Sequence, residues 1–351
     1  MTGRLRIQTH ETRLELVSSH EGFLATARSY LASLLDESEA ASDIRVILEW
    51  NTVFPADMGK DLTQLGRRIW VGAQCVYHAG IWQVPGLQMN VQWQDGVLVV
   101  HAAYHWPTRR EKWLSVAVAS VRHRLFASLV YYLVYFPYAW WLERERGWTL
   151  LHASAIASTE GALVFSGLPG CGKSTTALAA LGSRQWQVVS DNLLFTDGKQ
   201  VFACFEPIHV DPAARALVGD LGDRIHYTGR PFSHQRRDYE LTSQARRSSA
   251  PSLALGFLHV GKETAVRPVD RADAARRLMA NDYLAKEWMA YQESAAAMHQ
   301  VWPRLGDQTQ RSRNLTSLAR SVPCYDVAIG RGMCLQREIE HVIRMMLNGN
   351  L

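Results

Sequence analysis

The stretch Gly167-Leu168-Pro169-Gly170-Cys171-Gly172-Lys173-Ser174 constrains this chain more than any other. It matches the spacing G-x-x-x-x-G-K-[ST], which arises by accident in roughly one chain in a hundred of this length. The pattern requires a buried strand before it and a helix after it. Ala162–Ser166 is a short apolar run that predicts the strand, and residues 174–181 have the composition of the helix. A loop of this kind commits its surroundings to a sheet with helices packed on it, so the second half of the chain reads as α/β.

Glycines at these positions let the backbone turn its N–H groups inward. The helix starting beside Lys173 aims its first N–H groups and the positive end of its dipole at the same point. Such a concavity suits the phosphates of a nucleoside triphosphate, and ATP with Mg²⁺ is the expected ligand. The expected contacts are Gly167, Pro169, Gly170, Cys171, Gly172, Lys173, Ser174 and Thr175. Lys173 would bridge the β- and γ-phosphates as a point charge. Ser174 would ligate Mg²⁺ through its hydroxyl, and Thr175 would reach the α-phosphate. Cys171 is either a small residue that the loop tolerates or a redox-sensitive thiol. Asp191 ends the strand that follows the loop helix. It is either an oxygen ligand for Mg²⁺ or a turn residue capping its own backbone.

The rest of the chain divides near Gly147, where helical patterning gives way to strand patterning. Residues 1–147 read as a mixed α/β domain. Its signals are a helix over 23–35, a strand over Ile44–Trp50, a hairpin over 91–103 turning at Asp95-Gly96, and one or two helices over 109–141. Residues 148–351 read as the loop-bearing domain. Its strands are expected at 150–157, Ala162–Ser166, Gln187–Ser190, 193–195, 201–205, 253–259 and Cys324–Ile329. Helices are expected over 271–302 and 335–347. Residues 206–250, rich in Pro, Gly, Arg and Ser, read as a long loop region.

Composition narrows the partners. Apolar residues make up 47% and charged residues 20%, a globular balance that leaves no reason to expect disorder. The net charge of +5 comes with no run of like charge, so no nucleic-acid partner is expected. The five cysteines (75, 171, 204, 324 and 334) form no C-x-x-C pair, and the first residues hold no apolar signal segment. Free thiols in a reducing, cytoplasmic compartment are the expectation. Residues 125–142 hold 18 uncharged positions in a row, at the lower edge of a membrane span. Pro137 within them and arginines at both ends favour a buried central helix, with no stable membrane insertion. A homo-oligomer stays open.

The run from Leu150 to Pro207 resembles the catalytic domain of the HPr kinase/phosphorylase family and its HPr-kinase-like relatives. The resemblance is carried by Leu151-His152-Ala153-Ser154-Ala155, the glycine loop and Val188-Val189-Ser190-Asp191-Asn192. Phe205-Glu206-Pro207-Ile208 and Val322-Pro323-Cys324-Tyr325 add to it. It implies a nucleotide domain similar to that of phosphoenolpyruvate carboxykinase, and phosphate transfer from ATP to a serine hydroxyl of a protein or peptide acceptor. Lys173, Asp191 and His152 would take the catalytic places, with His152 near the reacting phosphate; the alternative for His152 is a core histidine with its ring satisfied. Ser174 and Asp191 would hold the metal.

Two departures stand out. The family usually has two adjacent acids where this chain has Asp191-Asn192, and the second is the one expected to accept the serine proton. The Gly-rich, Arg-bearing signature of true HPr kinases is absent, which points away from HPr as the acceptor. Arg215, Arg224, Arg230, Arg236 and Arg237 are the candidates to meet the transferring phosphate. An ATP-binding switch with slow hydrolysis is the alternative to a kinase.

Overall fold

The computed structural model describes residues 2–55, 57–81, 84–210, 212–231, 237–283, 286–304, 307–330 and 335–348. The protein is mixed α/β, with large sheets and helices. Its internal contacts form two compact units: Met1–Glu145 with Met289–Asp307, and Arg146–Trp288 with Gln308–Leu351. The first break falls beside Gly147. A single cut there omits the return of residues 289–307 to the first unit, and no local pattern marks that return because it is made by tertiary contacts.

The first unit is built on an eight-stranded sheet. Its strands are β1 (Gly3–Thr9), β2 (Thr12–Ser18), β3 (Ile44–Trp50), β4 (Thr63–Gly66), β5 (Ile69–Val71), β6 (Cys75–Ile81), β7 (Val84–Gln94) and β8 (Val97–Tyr104), in the order β1-β2-β3-β8-β7-β6-β5-β4. Only the β2–β3 and β3–β8 pairings are parallel. In β3, Ile44, Val46 and Leu48 are buried while Arg45 and Glu49 face solvent, the period-two pattern of a sheet with one covered face. Asp95 and Gly96 both take positive φ, 49° and 83°, so the β7–β8 turn has the twist a two-residue hairpin needs.

Helix α1 (Glu21–Tyr30) is capped by the His20 ring, which accepts from the Phe23 N–H at 2.9 Å. Helices α2 (Arg109–Ala117) and α3 (Ala119–Val130) run on through a π-helical turn, Tyr131–Tyr135, into α4 (Phe136–Arg146). Pro137 has no N–H to give and its ring would press on the Leu133 carbonyl. The wider turn immediately before it is where the helix absorbs both defects. Over Ala119–Arg146 the most apolar window is 83% buried within the protein, as expected for a central helix.

The second unit is a sheet sandwiched between helices. Its elements are β9 (Thr149–Ala157), β10 (Ala162–Ser166), α5 (Lys173–Ala180), β11 (Gln187–Ser190), β12 (Leu193–Thr196), β13 (Gln200–Ala203), β14 (Ile208–Val210), α6 (Pro212–Leu217), β15 (Ile225–Pro231), β16 (Arg237–Leu241), β17 (Ser249–Val260), β18 (Ala265–Pro268), α7 (Arg271–Tyr283), α8 (Lys286–Val301), α9 (Asp307–Ser321), β19 (Cys324–Ile329) and α10 (Leu335–Asn348). Most of α8 lies in the first unit. The strand order is β10-β9-β12-β13-β17-β19-β18, with β11 on β9 and a parallel β10–β17 pairing. Ile156, Leu163 and Phe165 turn to the α5/α10 layer, which supplies Leu178, Ile339 and Val342. Ala153, Ala155 and Val164 turn to the α7/α9 layer, which supplies Leu278, Leu315 and Leu318. Burial on both faces explains why β9 and β10 are apolar without alternation.

Two expectations need correction. Residues 206–250 are not a long loop region: β14, β16 and β15 form a three-stranded antiparallel sheet, with α6 beside it. Strands this short leave little periodicity to read, and they pair with partners distant in sequence. Helix α9 was not foreseen. Its composition is polar, and among its described side chains only Asn314, Leu315, Leu318 and Ala319 are buried.

Candidate functional site

Strand β10 delivers the chain into the glycine loop and α5 leads it away. Gly170 and Gly172 have φ of 84° and 98°, in the left-handed region that other residues avoid, so these two glycines set the loop's path. Gly167 is required for a different reason. A Cβ there would lie 2.6 Å from Cys171 Sγ and 2.7 Å from the Leu258 carbonyl oxygen of β17. The first bond of the α5 ladder runs from the Thr176 N–H to the Gly172 oxygen at 2.8 Å. The N–H groups of Lys173, Ser174 and Thr175 therefore precede the ladder, at the positive end of the helix dipole.

Lys173 is buried. Its ammonium donates to the Gly167 oxygen at 2.8 Å and the Leu168 oxygen at 3.2 Å. Ser174 donates its hydroxyl to the Asp191 backbone oxygen at 3.3 Å. Asp191 is 6% exposed. Burial pushes its carboxyl up to about 6, against His209, the Ser174 hydroxyl and Lys173, which pull it down. A buried carboxyl in that range is stabilised either by a proton or by an added cation. Leu168, Pro169 and Gly170 form the exposed lip of the loop, and Thr175 is half-buried on the first turn of α5. Burial pushes the Cys171 thiol up, although Lys173 pulls the other way. This disfavours the redox-sensitive reading, which needs an exposed thiolate.

His152 sits on β9, 4% exposed. Burial, reinforced by the Lys173 charge, lowers its ring to about 4, while a hydrogen bond with the Asn192 side chain works the other way. The imidazole is therefore neutral at pH 7. Its Nδ1 is buried with no hydrogen-bond partner among the described residues, so one ring nitrogen is left over from the contact with Asn192. The backbone of His152 is pinned from α7, the N–H donating to Asp282 Oδ1 at 3.1 Å. Asp282 is in turn paired with Arg311 of α9, which also donates to the Leu150 oxygen at 2.9 Å. The structure thus brings Lys173, Ser174, Asp191 and His152 together from α5, the turn that follows β11, and β9.

Several participants carried no local signal as site residues. Asn192 Nδ2 donates to Glu206 Oε2 at 3.4 Å, which puts a carboxylate beside this amide. His209 Nδ1 lies 2.8 Å from the carboxylate of Asp238, which is 1% exposed. Burial, with Glu206 and Asp191 adding negative charge, drives the Cys204 thiol well above its usual range. The Phe205-Glu206-Pro207-Ile208 run was the one hint to Glu206; His209, Asp238 and Asp282 depended on pairings far apart in sequence.

Of the candidate arginines, Arg224 is buried and donates to the oxygens of Trp186 at 2.6 Å, Ser183 at 3.4 Å and Leu181 at 3.5 Å, so it is a structural pin. Arg215 donates to the Gly219 oxygen, and Arg237 lies over the Tyr227 ring at 5.6 Å. Arg236 and the Arg230 side chain lie outside the described part of the structure, as does Cys334. Among the described residues no group of three or more His, Cys, Asp or Glu is placed to hold a metal. Scanned against the models of known protein families, the chain matches none, and a search among curated proteins returns no match either.

Proposed function

We propose that this protein is an ATP-dependent kinase of HPr-kinase-like fold, transferring a γ-phosphate to a hydroxyl, most readily a serine of a protein or peptide. The observation that carries the reading is the convergence on one glycine loop of Lys173, Ser174, a nearly buried Asp191 and a neutral His152. Mg-ATP fits this donor set. Main-chain N–H groups and an ammonium face the anion, while one hydroxyl and one carboxylate supply hard oxygens. A phosphate-bound Mg²⁺ needs few protein ligands, so a larger acidic cluster is not required. When bound, Mg²⁺ would offset charge on the phosphates.

This chain's residues then have distinct tasks. Lys173 leaves the Gly167 and Leu168 carbonyls to pair with phosphate oxygens. Ser174 and Asp191 would hold the cation. The proton of the attacking hydroxyl goes to the carboxylate of Asp191; a new O–P bond forms at the acceptor and the β–γ bridge breaks, leaving ADP. His152, neutral and held by the Asp282–Arg311 pair, offers a ring nitrogen near the reacting phosphate.

A second reading, an ATP-binding switch with slow hydrolysis, is favoured by Asn192, an amide that cannot accept a proton at pH 7. Mass spectrometry of serine peptides incubated with Mg-ATP separates the two. Phosphopeptide that disappears in Lys173→Ala supports the kinase. Tight ATP binding with no transfer to any peptide supports the switch.

A further inference from the structure

Helix α2 carries a surface that the nucleotide chemistry does not use. Arg109, Lys112, Trp113 and Val116 follow the i, i+3, i+4, i+7 spacing that places side chains on one helical face. All four are exposed, Trp113 at 67% and Val116 at 70%. Arg110 and Ala117 flank the same face and are exposed as well. Ser115 is buried on the opposite side. The helix has one acid, Glu111; it is exposed too, but the 100° step per residue turns it away from Trp113 and Val116, toward the Ser115 side. There its charge, after burial, helps hold the Tyr104 hydroxyl protonated. The outward face is therefore cationic and apolar with no negative charge. Arg122 and Arg124 of α3 are exposed too, Arg122 donating to the Val116 oxygen at 3.4 Å, and none of these five cations forms a salt bridge among the described residues.

We propose that this face of α2 docks the protein on the surface of an anionic lipid bilayer, Trp113 and Val116 entering the interface and Arg109, Arg110 and Lys112 pairing with headgroup charge. Two features favour a bilayer over other anionic partners. An indole beside a branched aliphatic gains from the headgroup–acyl boundary, where tryptophan concentrates. A nucleic-acid duplex offers phosphate charge but no apolar layer for Val116 and Trp113 to enter, whereas a bilayer offers both. The charge pattern is that of a reversible electrostatic anchor, with no span required.

The test is co-sedimentation of the full chain with vesicles of phosphatidylcholine alone and of phosphatidylcholine with phosphatidylserine. Binding is expected to the anionic vesicles only, and to weaken as salt shortens the range of the charges. Arg109→Glu/Arg110→Glu/Lys112→Glu should lower partitioning by roughly 100-fold or more, and Trp113→Ala by about 10-fold. Acids in the first turn of a helix favour its dipole, so the charge-reversed protein should keep its melting midpoint. Equal binding to both vesicle types, no binding to either, or unchanged binding by the triple variant overturns the proposal. So does retention of duplex DNA or an acidic polypeptide without retention of anionic vesicles.

Discussion

The Lys173 ammonium donates to the carbonyl oxygen of Gly167 at 2.8 Å, so the cation that opens α5 closes the mouth of its own loop. On the proposed function, phosphate binding would exchange these neutral acceptors for charged ones. Lys173→Ala is expected to weaken Mg-ATP binding by roughly 10- to 100-fold, the range for losing charge-assisted hydrogen bonds. Calorimetric titration measures this, and Lys173→Met, which keeps most of the buried stem, should lose as much affinity.

Gly167→Ala should destabilise the second unit by about 1–3 kcal/mol. The added methyl meets the Leu258 oxygen at 2.7 Å, and Leu258 is held in register opposite Val327 of β19. Gly170→Ala meets nothing within 4 Å, and its cost comes from the φ of 84° alone, about 1 kcal/mol. Urea unfolding of the two variants should rank them in that order.

Asp282→Ala should cost about 3 kcal/mol, because it strips the carboxylate from Arg311 and leaves the His152 N–H unbonded in the interior. A fall of roughly 10 °C in the melting temperature would follow for a unit of this size. An unchanged melting temperature would show that the Asp282–Arg311 pair contributes little to holding β9.

Acid should destabilise the first unit; in the second, Asp191, raised from 3.8 to about 6, binds a proton that the unfolded chain refuses as pH falls and so offsets His152. Burial lowers the rings of His78, in the first unit, and His152, in the second, from 6.5 to about 4. Between those values the unfolded chain binds protons that the native state refuses. The histidine contribution is therefore absent above 6.5 and lowers stability as pH drops toward 4, by about 3 kcal/mol per histidine at completion. Urea midpoints measured at pH 7 and near pH 4.5 test this, and His78→Phe should flatten the pH dependence of the first unit alone.

Asn192→Asp should raise peptide phosphorylation if proton acceptance limits the rate, within the roughly 10²- to 10⁴-fold range of general-base help. The new carboxylate would face Glu206, with Asp191 beside it in sequence, so the gain should be larger at higher pH. A rate equal to that of the parent at every pH would show that Asn192 is not where the proton acceptor is missing.

Much of the fold was legible because its signals are local. Ile44, Val46 and Leu48 alternate with polar neighbours along one strand, and the Asp95-Gly96 pair dictates its own turn. The β14–β16–β15 sheet was not legible. Ile208 and Val210 are too short a run to read, and they become a strand only against Tyr239 and Arg237. Helix α9 was hidden by its polar face, and the return of residues 289–307 to the first unit by the absence of any break in α8.

The sequence by itself determined the glycine loop, since the turn depends on φ values that only glycine takes freely and the flanking strand and helix follow from apolar spacing. It also placed Lys173, Ser174 and Asp191 as candidates. Tertiary structure alone decided how they are held: Asp282 reaches His152 across 130 residues, Asn192 meets Glu206, and Lys173 rests on its own loop. Burial also decided the charge states, raising Asp191 and Cys171 and lowering His152. The physical reason is range. Backbone preference and periodicity act within a few residues, whereas desolvation and pairing depend on which distant segments the fold brings into contact.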